Sequence, residues 1–160
     1  MMNWLRKKAT PLGDAELVQI ITDYLVGDAA SESVKPLSPE MKTFYEVVCL
    51  DMEIGSGASF EQYFRWSSKE QIERVLSQLG RVGLDEIIGV TEEAIRVAFP
   101  DGVPDDPLAR DECTEWTDDQ EEALDALYRN CPGIHSLIET KLATFARRHD
   151  LLSLISTPNK

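Results

Sequence analysis

Apolar residues recur along this chain at steps of three and four, the spacing that puts side chains on one face of an α-helix. In DAELVQIITDYLVGD the recurring set is Leu17, Ile20, Ile21, Tyr24 and Leu25. A loop through SESVKPL interrupts it. Ser38 is placed to cap the next helix, with Pro39 in the first turn. Phe44, Val47, Val48 and Met52 carry that helix up to GSGAS, residues 55–59, and the aromatic segment FEQYFRW follows. Ser68 with Gln71 fits a capping box for a helix ending at Gly80. Another helix is expected from about Leu84 to Phe99, turning Ile87, Ile88, Ala94, Ile95 and Ala98 inward. The prolines of PDGVPDDPLARDE then close off regular structure. Thr117 with Gln120 makes a second capping box, opening a helix to about Asn130. Pro132 starts a final long helix with Ile134, Leu137, Ile138, Leu142 and Phe145 on one side.

No strictly alternating stretch is long enough for a strand, and no repeat or low-complexity tract is present. The expected fold is all-α, a compact single-domain multi-helix bundle. It divides into a basic N-terminal arm at 1–13, an all-helical domain at 14–155 and a C-terminal tail at 156–160. A chain of 160 residues with 42% hydrophobic and 28% charged residues is globular rather than disordered.

Charge changes the picture. The chain carries 29 acids against 16 Lys and Arg, net -13. Residues 1–100 hold sixteen acids and ten bases, 101–125 eleven and one, 126–160 two and five. Most of the excess therefore sits in one-sixth of the chain. This argues against direct binding to nucleic acid, which needs a basic patch. The complementary partners are cationic proteins or cations.

On the helix after Thr117, Leu124, Leu127, Tyr128 and Cys131 share one face and Asp118, Glu121, Glu122 and Asp125 another, with no lysine between them. Acids in the first turn favour the helix N-terminus, which accounts for Asp118, Asp119 and in part Glu121 and Glu122. It does not account for Asp125, nor for Asp105, Asp106, Asp111, Glu112 and Glu115 upstream. One reading is a solvated acidic face. The other is a carboxylate row imitating a nucleic-acid backbone, in which these ten residues bind a basic partner. The loop DGVPDDPLARDE lacks the ligand spacing of an EF-hand, so neither metal nor cofactor is expected.

Catalytic patterns are missing. No Gly-x-Ser-x-Gly or His-Glu-x-x-His occurs, and Cys131 with His135 is one pair where zinc wants three or four ligands. Those two could still face one another at a helix start as a nucleophile and base, and the alternative is a buried thiol beside a helix-start histidine. The expectation is a non-enzyme. Three cysteines without a Cys-x-x-Cys pair fit a reducing compartment. The start MMNWLRKKATPLGD has no apolar signal core, and no run reaches membrane-span length, so a cytoplasmic location is expected.

The segment DMEIGSGASFEQYFRWSS is the most distinctive in the chain. It resembles the DNA-mimic-protein domain family, mostly helical bacterial domains with an Asn/Gly-rich turn followed by Phe-x-Gln-Tyr/Phe-Phe. Here the matching residues are Glu53, Gly57, Phe60, Gln62, Tyr63 and Phe64, and SQLGRVGLDEII and EALDALYRN are also similar, so the likeness spans about 40–148. The turn departs from the family's Asn-Asn-Gly-Gly, being longer and free of asparagine; Gly55 and Gly57 are expected to supply its unusual backbone angles. Phe60, Tyr63 and Phe64, at helical spacing, read as core. The resemblance implies a transcription-regulating interaction protein that occupies a basic DNA-binding protein, and it allows a homodimer. The alternative is an immunity or antitoxin-type protein neutralising a cationic nuclease with the same surface.

Overall fold

The computed structural model describes residues 11–28, 37–105 and 116–156. Among them the chain forms α1 (Asp14–Asp23), which runs on into a π-helical turn at Tyr24–Asp28, α2 (Pro39–Gly57), α3 (Glu61–Trp66), α4 (Lys69–Val82), α5 (Asp85–Ala98), α6 (Asp118–Arg129), α7 (Ile134–Arg148) and α8 (Leu151–Ser156). No strand occurs among the described residues. The fold is the expected all-α bundle. Residues 1–10 of the expected arm and 157–160 of the expected tail lie outside the described residues.

α2 is the central element. It packs against α3, α4 and α7; α4 packs on α5, and α5 on α6; α1 lies along α7 with α8 against both. The periodic positions explain this. Phe44, Val47, Leu50 and Ile54 of α2, Tyr63 and Phe64 of α3, Ile72 and Leu79 of α4, and Ile138 and Leu142 of α7 are all essentially without solvent exposure. Each such side chain contributes about 1.5–3 kcal/mol on burial.

One polar cluster crosses this interior. Glu46 of α2 is buried and accepts from Arg74 of α4, through Nε at 3.0 Å and Nη2 at 2.5 Å, and from Gln78 Nε2 at 2.7 Å. The Thr43 hydroxyl donates to Gln78 Oε1 at 2.8 Å. A carboxylate is tolerated there because its oxygens are satisfied by a guanidinium and an amide.

Side-chain caps mark three of the helix starts. Ser38 accepts from the Met41 amide, and both capping boxes form, Ser68 with Gln71 and Thr117 with Gln120. Several ends differ from expectation. α2 continues through Gly55 and Gly57, and the left-handed residue that ends it is Ala58, at φ 50°. α4 passes Gly80 and stops at Gly83, φ 81°; two further residues let Val82 reach the core, which outweighs a glycine's helix cost of about 1 kcal/mol. α7 begins after Gly133, φ 77°, rather than at Pro132, and left-handed Asp150 separates it from α8, so the expected final helix is two. Met52 points to solvent, 52% exposed.

Candidate functional site

The acidic helix α6 is fixed at its start by hydrogen bonds to the end of α5. The last carbonyls of a helix have no partner within it. Gln120 Nε2 donates to the Val97 carbonyl at 2.8 Å, and the buried Trp116 Nε1 donates to the Ala98 carbonyl at 3.0 Å. Gln120 also completes the capping box with Thr117. One residue thus caps its own helix and docks it on the next.

An aromatic path holds the same corner from below. The Phe64 ring meets Phe99 edge-on at 5.4 Å, and Phe99 meets Trp116 edge-on at 6.2 Å. The Arg65 guanidinium sits 5.1 Å from the centre of the Trp116 ring, a cation–π contact, and its Nε donates to Glu61 at 2.7 Å. Phe60, Tyr63 and Phe64 are buried core, as their spacing implies. The distinctive segment therefore supports the acidic helix from inside through Phe60, Tyr63 and Phe64, while its fourth aromatic side chain, Trp66, is exposed.

Leu124 of α6 is buried, and Leu127 and Tyr128 are half-buried. On the other side Asp118, Asp119 and Glu122 are exposed, and Glu121 and Asp125 are half-exposed. Asp118 to Asp125 covers seven residue steps, about 10.5 Å at 1.5 Å per residue. Five carboxylates over that length give roughly one charge per 2 Å, close to the one per roughly 1.7 Å of duplex DNA. The row is partly compensated, because Arg129 closes on Glu122 at 2.5 Å. Asp105 is exposed and paired with Lys69 of α4, which holds its carboxyl below the usual carboxylate range. Asp106, Asp111, Glu112 and Glu115 lie outside the described residues.

The far end of α6 is held by a chain of three side chains. Tyr128 Oη lies 2.8 Å from His135 Nε2, and His135 Nδ1 lies 2.6 Å from Asp51 Oδ1 on α2. The carboxylate can only accept, so Nδ1 carries a proton; with the ring neutral, Nε2 accepts from the tyrosine hydroxyl. Burial pushes the Asp51 carboxyl above its ordinary range and the charge of Glu139 adds to this, while the His135 hydrogen bond and charge oppose it. Both imidazole nitrogens are thus engaged, which leaves neither to serve Cys131 as a base. The Cys131 thiol is half-buried and burial pushes it up, away from a reactive thiolate.

The same geometry explains the glycines. A Cβ on Gly55 would stand 3.0 Å from His135 Cε1, and one on Gly57 would stand 3.1 Å from Gln62 Cβ. Neither has positive φ. They allow close approach, where the sequence suggested unusual backbone angles. Glu53 is half-buried on α2.

Among the described residues no group of three or more His, Cys, Asp or Glu is arranged to hold a metal, and no helix is long and apolar enough to cross a membrane. A family model described as DMP19-like protein matches residues 35–149, well over half of the chain. No curated protein and no solved structure matches it.

Proposed function

The chain belongs to the DMP19-like protein family, whose name is that of a DNA mimic protein, and on that premise we propose that α6 presents its carboxylates to a basic DNA-binding protein and keeps that protein from DNA. The protein acts without catalysis, as a competitor for a phosphate-binding groove. The observation that carries this reading is the linear charge of α6 on a helix fixed at both ends. A row at nearly duplex charge density complements lysines and arginines spaced for phosphates. Rigidity adds to affinity, since little side-chain and backbone freedom remains to be lost on binding. Asp118, Asp119, Glu121, Glu122 and Asp125 form the centre, with Asp105, Asp106, Asp111, Glu112 and Glu115 as outer charges.

The test is capture of the partner from native lysate at low salt, followed by competition. A basic DNA-binding protein should be retained, leave in a salt gradient, and be displaced by duplex DNA. The triple variant Asp118→Lys, Glu122→Lys, Asp125→Lys should bind at least about 100-fold more weakly, on the order of 1 kcal/mol per reversed contact. Its far-UV circular dichroism should stay helical. Unchanged affinity in that variant would sink the assignment. Retention of a nuclease whose activity is lost on binding would place the same surface in an immunity role.

A further inference from the structure

Between α1, α2 and α7 lies an open cleft of about 340 Å³, within the size range of small-ligand sites. Its apolar wall is Val18, Val48 and Leu142, of which Val48 and Leu142 are buried. Its polar edge is Gln19, Asp51 and Glu139. His135 also lines it, but its ring nitrogens are taken by Asp51 and Tyr128. Among the described residues no Lys or Arg lines this cleft. The two carboxylates feel each other, since the charge of Glu139 helps raise the Asp51 carboxyl. A larger opening of about 700 Å³ beside α5 differs in this respect, because its Glu93 is already paired with Arg96.

An apolar wall beside two carboxylates, with no Lys or Arg lining it among the described residues, complements a cation on an aliphatic stem. We propose that this cleft binds an alkylammonium or guanidinium group, its stem against Val18, Val48 and Leu142 and its charged head between Asp51 and Glu139. Such a group comes either from a lysine or arginine side chain or from a free amine. Three helix faces build the walls: Val18 and Gln19 on α1, Val48 and Asp51 at a three-residue step on α2, and Glu139 and Leu142 at the same step on α7. The site is separate from the row on α6, so its test does not depend on the mimic reading.

The experiment is amide NMR titration of the full chain with Nα-acetyl-lysine amide, Nα-acetyl-arginine amide, 1,4-diaminobutane and, as an uncharged control of the same stem, Nα-acetyl-norleucine amide. Saturable shifts at Gln19, Asp51 and Glu139 are expected with the cations and not with norleucine. Tighter binding of the capped amino acids assigns the site to a protein side chain, and tighter binding of the diamine to a free amine. Glu139→Gln should weaken the cations about fivefold or more, the effect of one lost charge contact of about 1 kcal/mol. Ala15→Trp, at an exposed position on the lining, should block the cleft by volume without touching its charges. The α6 charge-reversal variant should bind the cations as the parent does. Equal shifts with norleucine, no saturable shifts, or unchanged binding in both Glu139→Gln and Ala15→Trp would overturn the proposal.

Discussion

Ala58 leaves α2 in the left-handed region, at φ 50° and ψ 34°, a conformation that costs an L-residue roughly 1–2 kcal/mol. Gly55 and Gly57, three and one residues earlier, are in ordinary helix and are small because something lies against them. Three substitutions separate these roles. Ala58→Gly relieves the left-handed cost and loses part of the gain to unfolded-state entropy, so a net stabilisation of up to about 1 kcal/mol is expected. Gly89→Ala, in α5 with nothing within 4 Å of the new methyl, should gain about 1 kcal/mol from helix propensity. Gly55→Ala gains the same propensity but meets the imidazole of His135 at 3.0 Å, so it should end no more stable than the parent. Urea unfolding midpoints give the order. A Gly55→Ala protein as stable as Gly89→Ala would mean that the imidazole moves aside freely and that the Asp51–His135–Tyr128 chain is loose.

At the scale of elements, α6 depends on what docks it. Trp116→Phe keeps a ring against Phe99 but leaves the Ala98 carbonyl without its donor, which should cost about 1–3 kcal/mol. Trp116→Ala also empties the corner and should cost about 3–5 kcal/mol. Ile21→Ala, a fully buried position on α1, makes a control of comparable global cost. Hydrogen exchange distinguishes them: Trp116→Ala should speed exchange of the Glu121–Asp125 amides relative to α7, and Ile21→Ala should not. Equal acceleration in both variants would mean that α6 is not held at this corner. The elements themselves were legible in the sequence because their signals are local. The Ser38, Ser68 and Thr117 caps and the inward faces of α2, α5 and α7 depend on residues within one or two turns. The acid row was legible for the same reason. The attachments were not. Gln120 to Val97, Arg74 to Glu46 and His135 to Asp51 join residues 23, 28 and 84 apart, and no spacing rule reaches across such separations. Asp51 and His135 lay among many carboxylates and beside the nearer Cys131, so composition concealed the pair that forms.

For the whole molecule the net charge of -13 sets two opposed responses to salt. Within the folded chain, like charges repel more closely than in the unfolded one, so screening should stabilise the fold. The exposed pairs, such as Arg129–Glu122 and Arg147–Asp14, are screened too, but each contributes no more than about 1 kcal/mol. An excess of thirteen negative charges outweighs them. Binding through α6 runs the other way, because attraction to a basic groove is screened by the same ions. Raising potassium chloride from about 10 mM to about 500 mM shrinks the screening length from about 30 Å to below about 8 Å. The urea midpoint should rise over that range while affinity for the partner falls by more than about tenfold. The charge-reversed variant sharpens the comparison. Replacing three acids by three lysines moves the net charge from -13 to -7, so its midpoint should rise less with salt. Affinity that fell with salt equally in parent and variant would show that the attraction comes from the overall field of the molecule, and the row on α6 would lose its claim to be the binding surface.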